Sequence, residues 1–361
     1  YEAHLASSSE IRGKSAQLIQ LQLLHSWMLA RVRQLFVPRT TEDLAEIQEK
    51  SQQDFVLFQL NHGAFLENAL AANILGLANL AARQPIEAIK RYAIVLANWK
   101  NHPEWQADQP QLLLSICKNY QAACTFGARN WESYQSNLAL LPDFKALPEK
   151  LSFDFNRILY HNQFTMALNM VQFETVEKLI KEIAEWIEAN RSHFTEVQIL
   201  PFWHNFAVAA FLCDDLKTAN RFVINILHLP NRNARKDIRE FALVLQAIIQ
   251  FELENLDLNE YLTRAGKRHF KQKKRDIDFE LVVMRFLENA NKQEQRSDLS
   301  VQLNELIEKL DELAEQAGNW LPMLGLMEVR LWAQAKRDGL PLRTVFQMAI
   351  QKIMREEESK K

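Results

Sequence analysis

Glycine and proline are scarce in this sequence. Among 361 residues there are 8 Gly and 10 Pro, together about 5% where average usage is roughly 12%. Rossmann sheets need glycine at phosphate loops and strand-rich sandwiches need it at turns, so both are poor candidates, as are collagen and low-complexity chains. Cysteine is scarcer still. Cys117, Cys124 and Cys213 are an odd set, and the two helical turns between the first pair separate them by roughly 10 Å, beyond disulfide reach. Such usage suits buried thiols in a reducing cytoplasm. Neither sign of charge dominates, with 43 Lys and Arg against 45 Asp and Glu, so the whole chain is no generic polyanion binder. The longest apolar region, 55–82, is interrupted by Gln59, Asn61, His62, Glu67, Asn68, Asn73 and Asn79, too many polar groups for a membrane span. No signal peptide is visible, and a start at Tyr1 without methionine leaves room for an upstream domain. The expectation is a soluble cytoplasmic protein.

Catalytic signatures are missing as well. The sequence holds no Walker loop, GxGxxG, HExxH, CxxC or GxSxG, and its nine histidines are dispersed. Asp214-Asp215 and Asp276/Asp278 read as helix-start and turn residues. No catalytic residue, metal or cofactor is therefore expected, and an enzyme with an unfamiliar pocket is the third reading of function, after a binding scaffold and a polyanion-associated protein.

What is present is helical periodicity, with prolines such as Pro85, Pro110, Pro148, Pro201 and Pro341 near the breaks. It predicts about sixteen helices in antiparallel hairpins, no sheet, and more than about 65% helix. Two of the predicted helices cover 41–61 and 233–254. A near-heptad of Leu299, Leu303, Leu306, Leu310 and Leu313 is expected to pack on the next helix, 320–337.

The hairpins carry an internal pattern: a small residue in a first helix and another about twelve positions later in the second. Gly76 pairs with Ala88 beside Tyr92, and Ala207 pairs with Ala219, closed by Leu229-Pro230. Small residues let two helices approach closely, while Trp203, Phe206, Leu216 and Val223 fill the space around them. This resembles the tetratricopeptide (TPR) repeat family, most strongly at 203–230 and next at 72–99. Elsewhere it degrades: Ala122 is paired with bulky Tyr134, Phe164 with Val176, and Ala247 with Asn259. Second-helix positions 88, 134, 176, 219 and 259 are spaced more widely than the family's usual ~34 residues, and a HEAT-type solenoid is the structural alternative. The resemblance implies a right-handed solenoid with TPR-like repeats over 64–272, an N-terminal helical region 1–63 and a C-terminal helical region and cap 273–361.

First helices of such repeats line a groove. His161-Asn162 and His204-Asn205 fall 43 residues apart, with Tyr160 and Trp203 beside them. In the TPR family an asparagine at this position often bonds the backbone of a bound peptide, and an amide can donate and accept at once. Alternatively these asparagines satisfy carbonyls within the stack. Family members that grip a C-terminal carboxylate carry basic residues in the following repeat, where this chain has Phe241 and Leu245. That departure speaks against a carboxylate clamp. The resemblance thus implies a non-enzymatic scaffold for a protein or peptide partner.

A second candidate surface is electrostatic. Residues 221–275 carry twelve positive against six negative side chains, a net of +6. Arg232, Arg235, Lys236 and Arg239 recur at helical spacing, as if on one face, and Lys267, Arg268, Lys271, Lys273, Lys274 and Arg275 close the next hairpin. Nucleic acid or another polyanion is the partner this stripe suggests, and a solvated face is the plainer reading. The acidic region 276–318, eleven negative against four positive side chains, weakens the polyanion reading.

Overall fold

A computed structural model describes residues 2–35, 41–102, 104–127, 131–141, 148–232, 234–272, 279–291, 296–317 and 324–359. Of the described residues 87% are helical, and none is in a strand. Two compact units divide at Met166/Ala167, inside α9 (Glu149–Asn169).

The first unit contains α1 (Glu2–Leu35), α2 (Thr41–Ser51), α3 (Asp54–His62), α4 (Phe65–Ala81) and α5 (Pro85–Asn101), followed by α6 (Glu104–Asp108), α7 (Pro110–Gly127) and α8 (Trp131–Leu138). Helix α4 is its centre, packed against α1, α5 and α7. It is buried all round from Ala69 to Ala78, as a helix apolar on every side must be. The long α1 lies on α4 with Leu21 and Met28 fully buried, and Arg31 ties it to Asp43 and Glu46 of α2 at 2.8 and 3.0 Å.

The second unit contains α10 (Phe173–Ala189), α11 (Glu196–Leu212), α12 (Leu216–His228), α13 (Lys236–Glu252) and α14 (Leu256–Lys271), then α15 (Phe279–Ala290), α16 (Arg296–Ala317), α17 (Leu326–Asp338) and α18 (Leu342–Ser359). From α11 to α18 each helix packs on the next, and α13 also packs on α11 and α15. Their lengths follow from their patterns. Helix α10 buries Phe173, Val176, Leu179, Ile183 and Ile187 along one stripe, while α12 opens on Asp215, whose carboxylate accepts the Thr218 N–H at 3.1 Å.

Four hairpin turns share one geometry. Arg83, Val171, Asp214 and Glu254 hold φ values of 56°, 58°, 61° and 55°. In each, the next residue's N–H reaches back five positions: Gln84 to Asn79, Gln172 to Ala167, Asp215 to Ala210, and Asn255 to Gln250, at 2.8 to 3.0 Å. This is the Schellman closure, which ordinarily places glycine in the left-handed position. Here none of the four is glycine. Gly339, with φ 65°, closes α17 onto α18 in the same way.

Several element boundaries differ from the sequence-based expectation. Helix 41–61 is broken between Ser51 and Asp54, a short α6 precedes α7, and Pro201 sits within α11. Helix α13 starts at Lys236, because Arg235 adopts a left-handed φ of 43°. The leucine near-heptad packs as expected. Helix α16 lies on α17 with Leu303, Leu306 and Leu310 buried, and Asp311 grips Arg330 of α17 at 2.5 and 3.0 Å.

Candidate binding groove

The small-residue positions are tight. Gly76 faces the Tyr92 ring so closely that an added Cβ would lie 2.2 Å from Cζ, and Ala207 and Ala219 are both buried. Three residues before Gly76 and Ala122, the first helices carry Asn73 and Asn119. These two amides join across α4 and α7: Asn119 Nδ2 donates to Asn73 Oδ1 at 2.9 Å. Asn73 Nδ2 in turn lies 2.7 Å from His25 Nε2 on α1 and 3.4 Å from Ser115 Oγ. Asn73 is fully buried, and burial pushes the His25 imidazole down to about 4. His25 is therefore neutral at pH 7, and its Nε2 accepts from the amide while its proton resides on Nδ1.

His25 and Asn119, the outer members of this ladder, line a 580 Å³ groove between α1, α4 and α7, while Asn73 lies buried behind them. Polar groups of His25, Ser115 and Asn119 line it together with Leu29, Leu70 and Leu112. Such a surface offers hydrogen bonds at its base and apolar contact along its walls.

The residues singled out from the sequence fall in both units. Tyr160, His161 and Asn162 are half-buried on α9 in the first unit. Asn162 Nδ2 donates to the Oε1 of buried Gln121 on α7 at 3.2 Å, so this amide meets a neighbour within the stack. In the second unit, Trp203 and Asn205 are half-buried on α11, with Arg191 5.9 Å over the Trp203 ring. His204 is buried edge-on against Phe241 at 5.5 Å. His161 and His204 hold the same position, three before Phe164 and Ala207, that Asn73 and Asn119 hold before Gly76 and Ala122. That shared register is the sequence signal for Asn73 and Asn119, while His25, on α1, lies outside it.

The basic stripe is not one helical face. Arg232 and Arg235 precede α13, and Arg235 makes a two-pronged bond to Asp237, with contacts of 2.6 to 3.2 Å. Arg239 is buried, and its guanidinium donates to the carbonyls of Ala234, Ile226, Leu229 and Asn231 at 2.8 to 3.2 Å. It fastens the α12–α13 connection and is closed to a ligand. Lys236 is exposed, and Lys267 pairs with Glu288. Arg268 and Lys271 are exposed on α14 beside Tyr261, while Lys273, Lys274, Arg275, Asp276 and Asp278 lie outside the described residues.

Cys117 and Cys124 are buried free thiols and Cys213 is a half-buried one. Among the described residues no group of three His, Cys, Asp or Glu converges to hold a metal ion, and no helix is long and apolar enough to cross a membrane. In comparisons with family models, curated proteins and solved structures, no match to this chain was found.

Proposed function

We propose that this chain is a non-enzymatic scaffold, a right-handed TPR-like solenoid, that binds an extended segment of a protein partner in the groove between α1, α4 and α7. The turn geometry supports the repeat reading. Each left-handed residue, Arg83, Val171, Asp214 and Glu254, stands five positions before a second-helix residue of the sequence pattern, Ala88, Val176, Ala219 and Asn259. The observation that carries the function is the amide ladder whose outer members, His25 and Asn119, line the groove. An extended main chain has donors and acceptors without internal partners, and Asn119, Ser115 and the flanking leucines suit a peptide bond with its side chain.

A photo-crosslinking amino acid at exposed Ser26, on the groove rim, should capture the partner from the native source, whereas the same group at exposed Ile94 on α5 should not. Filling the groove with Gln22→Trp should suppress the Ser26 product. Equal capture from both positions would remove the groove from consideration. A second reading, a polyanion contact, rests on Tyr261, Arg268 and Lys271 exposed together on α14.

A further inference from the structure

The ladder behind the first-unit groove has a direction. Asn73 on α4 is fully buried and meets three groups. Its Nδ2 faces His25 Nε2 at 2.7 Å and Ser115 Oγ at 3.4 Å, and its Oδ1 accepts from Asn119 Nδ2 at 2.9 Å. A primary amide carries two donor hydrogens on its nitrogen, so this orientation engages both of them and the carbonyl as well. Turning the amide over would leave one hydrogen unpaired where water does not reach, with the desolvation cost of an unmet buried donor. Asn73 therefore holds His25 as an acceptor at Nε2 and Asn119 as a donor at Nδ2.

What these bonds leave over faces the groove. With Nε2 accepting, the neutral His25 ring carries its proton on Nδ1, and burial keeps the ring neutral. Asn119 also approaches the buried Tyr92 hydroxyl on the donor side of its amide, short of a full hydrogen bond. The His25 Nδ1–H and the Asn119 Oδ1 have no partner among the described residues, and neither atom is sealed from solvent. Both residues line the groove, whereas Asn73 does not. The groove thus shows a donor at His25 and an acceptor at Asn119, with Leu29, Leu70 and Leu112 around them. Lys118, the one charged side chain among the described lining residues, is already engaged within the chain.

We propose that this ladder fixes the hydrogen-bonding sense of the groove, so that the groove selects an uncharged amide beside an aliphatic side chain and refuses a carboxylate. The amide N–H goes to Asn119 Oδ1 and its C=O receives the His25 Nδ1–H. This inference rests on the groove reading and names what the groove accepts. A backbone peptide unit or a carboxamide side chain supplies donor and acceptor together. An ester keeps the carbonyl and lacks the N–H. A carboxylate has only lone pairs, and one placed against Asn119 Oδ1 sets two acceptors face to face. Reversing the ladder to receive it would break the pairing of Asn73 in its buried site. Asn73 is a positioning residue, acting on the ligand only through Asn119 and His25.

The test uses the full chain and three probes of nearly one shape: 4-methylpentanamide, methyl 4-methylpentanoate and the 4-methylpentanoate anion. Each is titrated at pH 7 against protein carrying labelled leucine methyls, and the shifts of Leu29, Leu70 and Leu112 report occupancy of the groove. The amide should bind at least about tenfold more tightly than either of the others. Asn73→Leu removes the centre of the ladder without changing the lining, so Asn119 can rotate. In that variant the amide should still move the same methyls, while its preference falls below about threefold. Nitrogen-15 spectra of the wild-type His25 ring should show the Nδ1–H form at pH 7, a readout that needs neither variant nor ligand. A ring protonated at Nε2, an ester or carboxylate bound as tightly as the amide, or full preference in a folded Asn73→Leu protein would overturn the proposal and leave the groove standing. No methyl shift from any probe would remove the groove together with it.

Discussion

Gly76→Ala tests the small-residue positions most sharply. In the middle of α4 an alanine by itself gains about 1 kcal/mol of helix propensity over glycine. The added Cβ, however, would lie 2.2, 2.5 and 2.7 Å from Cζ, Oη and Cε1 of Tyr92, where a carbon contact is comfortable only beyond about 3.5 Å. The ring would have to retreat by more than about 1 Å, and Tyr92 is fully buried with Ala88 beside it in α5. Separation of the two helices is therefore the available response. Overpacking of this kind costs about 1–3 kcal/mol, and a clash with a pinned ring belongs at the upper end, so the net expectation is a loss of about 1–2 kcal/mol. Urea denaturation, with hydrogen exchange in α4 and α5 to localise the effect, measures it. The pair Gly76→Ala/Tyr92→Leu should recover at least about 1 kcal/mol relative to the sum of the single changes. A Gly76→Ala protein as stable as wild type, or a double-mutant cycle with no coupling, would show that α4 and α5 do not meet at this point.

The His25–Asn73 contact predicts a pH dependence. Because the folded pKa of about 4 lies below the unfolded value near 6.5, stability is complete above pH 6.5 and is lost as pH falls from there towards 4. Between pH 7 and pH 5 the loss should be about 2 kcal/mol, and His25→Gln should flatten that part of the urea-midpoint profile; parallel profiles would discard the buried-imidazole argument. Arg239→Met should destabilise by about 3 kcal/mol or more, since three buried carbonyls and a fourth, part-buried one lose a charged donor. Arg268→Glu/Lys271→Glu should instead stay within about 0.5 kcal/mol of wild type while abolishing low-salt heparin retention. A wild type that heparin never retains would remove the polyanion reading, and a stable Arg239→Met protein would contradict the buried clamp.

Parts of the candidate site were legible in residue pattern. The register that places His161 and His204 three residues before a first-helix position also places Asn73 and Asn119 there, and a reader following it to the first repeat would have reached the ladder. His25 was not legible: it belongs to α1, outside the repeat pattern, and reaches Asn73 from 48 positions away. The basic stripe illustrates the opposite failure. Spacing alone put Arg232, Arg235, Lys236 and Arg239 on one face, but spacing implies a face only where the backbone is helical, and the left-handed Arg235 interrupts it. Charge also says nothing of burial. Arg239 turned inward because four carbonyls of the α12–α13 connection needed a donor.

The sequence by itself determined the all-helical class and marked Gly76 as a position of close helix approach, which the structure shows to be against Tyr92 rather than Ala88. Few glycines, helical apolar spacing and small residues are local facts that steric and hydrophobic rules translate directly. It did not announce the turns, because Arg83, Val171, Asp214 and Glu254 take a left-handed conformation that glycine usually signals. Tertiary structure alone decided what meets these helix faces: α1 packs on α4 in the first unit, and in the second the Glu252 carboxylate of α13 accepts from Trp332 and Lys336 of α17. Such contacts join residues up to 84 positions apart. Any amphipathic helix could in principle cover those faces, and only the assembled shapes and charges, Gly325 under Phe241 and Glu252 between Trp332 and Lys336, select the one that does.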